Sequence, residues 1–315
     1  MRLGPLHGSL SVLLLACVGV GGAEAQSAYK YRDANGQWVF GDRAASTAPP
    51  AAAPVELKRE GGSDPFGVTV AWVDASASAQ LMATNRCLCV VTVRATVTES
   101  AFADIPKGSV YDATLTPGEQ HALLQVMRST GASGSLRYTW GAALGPPGAV
   151  HHPPRPYRAP FALGASFPVS QAYPARITHV TPDTIYAVDI VVPDGTPIYA
   201  AREGIVINVR HDSFRGAPVA AMIDQANVVE ILHDDGTIAV YAHLHWDSIR
   251  VHTGQRVPLG AYLADSGNTG FTTGPHLHFA VWRNEGTSDA SVPVEFAGLG
   301  GIPVTAHTGE VLTAY

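Results

Sequence analysis

Gly274-Pro275-His276-Leu277-His278-Phe279-Ala280-Val281-Trp282 opens on a turn signal and runs into apolar, β-branched and aromatic residues, so it reads as a strand. Side chains at i and i+2 of a strand share one face, about 6.6 Å apart along it. His276 and His278 are thereby set side by side, close enough for one to hold a metal ion and the other to act on the water it binds. The competing reading is of two partly buried sheet histidines, an ordinary place for this residue.

Working outward, Ile185-Tyr186-Ala187-Val188-Asp189-Ile190-Val191-Val192 is a strand ending in the turn Pro193-Asp194-Gly195-Thr196-Pro197. Asp235-Gly236 marks a tight turn into Thr237-Ile238-Ala239-Val240-Tyr241-Ala242-His243, and Gly267-Asn268-Thr269-Gly270 a loop before the H-x-H strand. Residues 149–315 therefore read as a compact, mostly antiparallel β-sheet domain. Residues 64–148 carry strand-like runs separated by turns such as Thr116-Pro117-Gly118, and read as a β-sandwich-like domain without chemically useful clusters. Structural support, or occlusion of the neighbouring site, is its expected role. Residues 145–160 hold six prolines and read as an extended joint.

The composition agrees with a mainly β fold. Of 315 residues, 46% are hydrophobic, 32 are Gly and 23 are Pro, and no long 3.6-residue repeat follows the N-terminus. The formal charge is −6 and Lys and Arg do not cluster, which argues against a nucleic-acid partner.

Residues 1–25 read as a secretory signal: Arg2, an apolar stretch, then Ala23-Glu24-Ala25 as cleavage site. The apolar stretch is too short to span a bilayer, which needs about 20 residues, so no transmembrane segment is expected in the mature chain. Leu14-Leu15-Ala16-Cys17 approaches a lipoprotein processing site, with lipid anchoring at Cys17 as the secondary alternative. Both alternatives export the protein to the periplasm or cell envelope. Cys87 and Cys89 then remain, as a C-x-C disulfide or as two buried thiols.

Residues 26–44 alternate aromatics around Asn35-Gly36, a hairpin signature. They resemble the short N-terminal module, of unassigned function, of many secreted proteobacterial proteins. Residues 45–63, rich in Ala and Pro, read as a linker.

Four segments carry a more specific resemblance. Asp194-Gly195-Thr196-Pro197-Ile198-Tyr199-Ala200-Ala201, Tyr241-Ala242-His243-Leu244, Ser266-Gly267-Asn268-Thr269-Gly270 and Gly274-Pro275-His276-Leu277-His278-Phe279 resemble the lysostaphin/LytM-type (M23) zinc metallopeptidases, in order and spacing. The resemblance covers roughly residues 155–300. It implies a peptidoglycan endopeptidase with one Zn²⁺ per chain, Asp189 and His278 as ligands, and His243 and His276 acting on water and the transition state.

One position departs. The family places a ligand His four residues before that Asp, where this chain has Ile185, which cannot bind metal. His179 lies ten residues upstream of Asp189, and the turn Thr181-Pro182-Asp183-Thr184 between them lets the chain fold back. The run from Val169-Ser170-Gln171-Ala172-Tyr173 through Tyr186-Ala187-Val188-Asp189 also resembles a proteobacterial subgroup with a His before this loop. His179 is therefore the expected third ligand, and a loop histidine beside a dead site is the alternative. H-E-x-x-H is absent, so the proton acceptor falls to His276 rather than a Glu. His243 would stabilise the oxyanion or protonate the leaving amine. His245 is placed outside the site and His233 at the surface. Two functions compete: an exported zinc endopeptidase cutting peptidoglycan cross-links, or an inactive module that binds cell wall or activates a partner amidase.

Overall fold

The computed structural model describes residues 29–32, 38–41, 67–74, 78–102, 104–127, 136–286 and 288–315. The expected signal segment and the linker lie outside the described residues. Strands β1 (Tyr29–Arg32) and β2 (Trp38–Gly41) pair antiparallel, Tyr31 opposite Val39.

The next six strands are β3 (Val68–Asp74), β4 (Ser78–Asn85), β5 (Val91–Ser100), β6 (Val110–Leu115), β7 (Gln120–Met127) and β8 (Leu136–Leu144). They form two antiparallel three-stranded sheets, in orders β3-β4-β7 and β6-β5-β8. Along β4 buried and half-buried positions alternate strictly, the two-residue period of a sheet with one inward face. The inward faces of both sheets, Val70, Leu81 and Ala83 from one and Val91, Val93 and Leu115 from the other, meet in one apolar cluster. Cys87 and Cys89 are disulfide-bonded, with Cα atoms 5.3 Å apart. They occupy a bend between β4 and β5 rather than a strand, which curls i and i+2 toward each other. Buried Asn85 fixes that bend, accepting from Cys87 N (2.8 Å) and donating to Cys89 O (2.9 Å).

The remaining strands are β9 (Ser166–Gln171), β10 (Val188–Ile190), β11 (Pro197–Tyr199), β12 (Gly204–Arg210), β13 (Val228–Leu232), β14 (Ile238–Ala242), β15 (Arg256–Val257), β16 (Tyr262–Asp265), β17 (Leu277–Asn284), β18 (Asp289–Ser291), β19 (Glu295–Ala297), β20 (Pro303–Thr305) and β21 (Val311–Thr313). The main sheet runs β15-β12-β13-β14-β17-β10-β9-β21, with β18 on β17, and its pairs are antiparallel. Among the described residues the helical segments are two 3-10 turns. The fold is mainly β.

An antiparallel sheet commonly leaves one face wet, yet every residue of β14 is buried. The two core clusters explain it. Leu277, Phe279 and Val281 of β17 face a cluster with Tyr157, Phe161 and Phe296. Ala280, with Val240 and Ile238 of β14, faces the cluster built from the first domain. The two parts thus share a core. The contact is also polar: Asn284 donates to Gly145 O (2.7 Å) and Thr92 Oγ1 (3.1 Å), and Leu144 N donates to Asp289 Oδ1 (2.9 Å).

The proline-rich joint is packed as well. Tyr157 is 1% exposed and pairs by backbone with β19, donating to Glu295 O (2.8 Å) and accepting from Ala297 N (2.7 Å). Its hydroxyl meets Arg202, whose guanidinium is buried between Asp234 and Asp235, and His152 N donates to Asp235 Oδ2. His233 lies under this joint, edge-on to the Tyr157 ring and only 3% exposed, which corrects its expected surface position. Its place just before a turn suggested exposure; the joint crossing over the hairpin end buries it.

Candidate metal centre

Asp189 of β10 stands directly opposite His278 of β17, and His278 opposite Ala242 of β14, so three adjacent strands bring one face together. His278 shares that face with Ala280, the H-x-H periodicity at work. Its Nδ1 lies 2.9 Å from Asp189 Oδ1.

His179 arrives from the loop between β9 and β10. Thr184 N and Ile185 N both donate to Thr181 O (2.9 and 3.1 Å), closing the expected turn, and the chain reverses. His179 Nε2 comes to 3.1 Å from Asp189 Oδ2, and its ring stands edge-on to His278 with centroids 5.0 Å apart. Ile185, at the family's usual ligand position, forms part of the turn itself. Gln171, opposite Asp189 in β9, accepts from Thr178 N (2.9 Å) and donates to Thr178 Oγ1 (3.0 Å), holding the residue before His179. No sequence signal singled out Gln171.

One ligand atom from each of His179, Asp189 and His278 lies within 4.8 Å of the others. Donors on a tetrahedral zinc ion, each about 2.0–2.1 Å from it, stand about 3.4 Å apart. The carboxylate-to-imidazole separations of 3.1 and 2.9 Å are close to that spacing, and two nitrogens with one carboxylate suit zinc. The donor set fits the ion. Among the described residues His179 Nδ1 is buried without a hydrogen-bond partner, so that ring lacks the outer hydrogen bond usual for a metal-binding histidine. Burial raises the pKa of Asp189, but the adjacent His179 charge and the hydrogen bonds from His179 and His278 outweigh it and hold the carboxyl well below the usual range. Burial lowers His278, against the pull of Asp189.

His243 and His276 complete the cluster. Their ring centroids are 4.5 Å apart, and His276 Nε2 is 3.9 Å from Asp189 Oδ1. His243 follows β14 with φ at 64°, the left-handed region, and is the one non-glycine so placed among the described residues. Such a backbone costs about 1–3 kcal/mol and collects at functional sites. Gly267 N, donating to His243 O at 2.9 Å, helps hold it. Loop 266–274 sets both rings: Thr269 O accepts from His243 Nδ1 (2.7 Å) and Gly274 O from His276 Nδ1 (2.8 Å). A carbonyl only accepts, so both Nδ1 atoms carry a proton, and in the neutral imidazole Nε2 is then the acceptor. Burial, then the neighbouring His276 and His278, push His243 well below its usual value. His245 stands apart, facing Asp247 N and Trp246. Asn227, which with Thr269 of the 266–270 motif ties this loop to Leu244, carried no signal in the sequence.

Residues 183–290 match the model of peptidase family M23. A 93-residue stretch is 37% identical to the peptidoglycan DD-endopeptidase ShyA of Vibrio cholerae, covering 30% of this chain and 19% of that protein. A 98-residue stretch is 35% identical to an uncharacterized metalloprotease of Buchnera aphidicola, covering 31% and 23%. The chain thus spans about a fifth of the length of these curated relatives. Among solved structures, the catalytic domain of the prophage-encoded M23 protein EnpA of Enterococcus faecalis is 27% identical, with TM-score 0.31, covering 42% of this chain and 93% of that one. Asp189, His243, His276 and His278 fall inside the family match and His179 four residues before it. The similarity to peptidase family M23 thus lies in residues 183–290, about a third of the chain.

Proposed function

We propose that this chain is an exported, zinc-dependent endopeptidase that hydrolyses the peptide cross-links of peptidoglycan. The observation that carries the reading is the convergence of His179 on Asp189 and His278, which restores three ligand atoms where Ile185 leaves a gap. An inactive relative would have no reason to keep that set beside two further histidines, His243 and His276. The substrate class follows the DD-endopeptidase relatives, and export follows the N-terminal signal pattern.

His179, Asp189 and His278 would hold the zinc, which when bound would supply a Lewis acid toward the scissile carbonyl. His276 Nε2, its lone pair exposed by the Nδ1 bond to Gly274 O, accepts the proton of the attacking water. His243 Nε2 is an acceptor in the same tautomer, so it donates to the oxyanion or the leaving amine only after taking up a proton. The test is the zinc content of the purified chain, read together with cleavage of purified peptidoglycan. About one equivalent of zinc with cleavage, both lost in His179→Ala, supports the reading. No zinc at neutral pH overturns it in favour of an inactive module that binds wall or activates an amidase.

A further inference from the structure

We infer that Phe214 and Arg215 form a substrate-contacting pair that selects acidic peptides, an inference that rests on the endopeptidase reading above. Arg210 pairs with Val228, so residues 211–227 are the connection of the β12–β13 hairpin. That is seventeen residues where such loops usually have two to five, and long loops in compact domains are mostly functional. This one is pinned to the catalytic loop. Gly270 N donates to Arg215 O (2.8 Å) and Ala217 N donates to Gly270 O (3.0 Å). On the other side Ser213 N donates to Asn227 Oδ1 (2.9 Å) and Asn227 Nδ2 donates back to Ser213 O (2.7 Å). A Cβ on Gly216 would overlap the Asn268 carbonyl and Thr272, whose hydroxyl lies 3.3 Å from His276 Nδ1.

Between these anchors Phe214 is 68% exposed, with the Arg215 guanidinium 5.1 Å from its ring centroid. An exposed Phe is common; one in a segment hydrogen-bonded on both sides, beside the loop that carries Thr272 and His276, is a preformed surface. Among the described residues no carboxylate pairs with Arg215. A planar apolar ring under a free guanidinium suits a peptide that carries a carboxylate beside a small apolar group, because guanidinium binds carboxylate through paired donors. Aromatic and Arg side chains are also the usual anchors of such contacts.

The experiment uses the full zinc-loaded chain, an acidic peptide from peptidoglycan stems, and its amidated counterpart. Arg215→Ala should raise KM for the acidic peptide by about three- to tenfold, and by less for the amidated one, with Arg215→Lys intermediate. Phe214→Ala should raise KM for both. Binding of the acidic peptide to the His276→Ala chain, with and without Arg215→Ala, gives the same comparison without turnover. Unchanged KM and affinity in folded variants overturn this assignment alone. A fall in kcat at constant KM also overturns it, making the loop a support for His276. Absence of cleavage and binding by the parent chain overturns the endopeptidase reading together with the pair.

Discussion

His179 reaches Asp189 only because a Thr-rich turn reverses the chain and Gln171 holds the residue before it. His179→Ala should therefore lower zinc affinity by more than about 100-fold, beyond the 10–100-fold typical of outer-shell partners. Metal analysis after dialysis checks it, and zinc retained at one equivalent would return the site to two ligands. His276→Ala and His243→Ala should keep zinc but lose about 10²–10⁴-fold in peptidoglycan cleavage, the usual share of a general acid or base. If His276→Ala strips the zinc, the roles within H-x-H are reversed. His276 and His278 stood out from their strand-like stretch, whereas Asp189 and His243 entered as candidates through the family resemblance. His179 was legible only as a candidate, since its reach depends on the turn.

At the scale of elements, the hairpin of β13 and β14 is locked at its far end by the joint, and His233 is buried there. Burial, reinforced by the Arg202 charge and only partly offset by its bond to Glu203 O, pushes His233 down to about 4. The folded state then resists a proton that the unfolded chain accepts below about pH 6.5. Stability from this residue is complete above about pH 6.5 and is lost as pH falls toward 4, by up to about 3 kcal/mol. Denaturant midpoints at pH 7 and pH 5 should diverge more for the parent than for His233→Gln, and equal differences would discount His233. This burial was not legible, because the joint that covers it lies some eighty residues away in sequence. The continuous apolar runs of β13 and β14 were legible as strands, but not the identity of the layers covering them.

At the scale of the molecule, the first domain and the main sheet share one core. Ile207, Val228, Ile238 and Val240 are buried against it, together about 6–12 kcal/mol of apolar burial, comparable to the whole stability of a domain. A proline-rich joint usually marks a boundary that few contacts cross, which by itself would leave residues 150–315 able to fold alone. With the shared core in view, that fragment should instead be insoluble or bind hydrophobic dyes, from an exposed apolar face. A soluble fragment with cooperative unfolding would show that the two cores are separable. Cleavage by such a fragment, compared with the full chain, would then measure any restraint by the first domain.

Strand periodicity and turn residues are local properties, so the chain alone determined the mainly β class, and the family resemblance marked Asp189, His243, His276 and His278 as candidates. Tertiary structure alone decided three things: that His179 comes within reach of Asp189 and His278, that Cys87 and Cys89 are bonded, and that the joint and first domain are packed parts of the core. Each depends on loop closure or on apolar faces meeting across large sequence separations. Those are free energies of the folded whole, which no single stretch of residues carries.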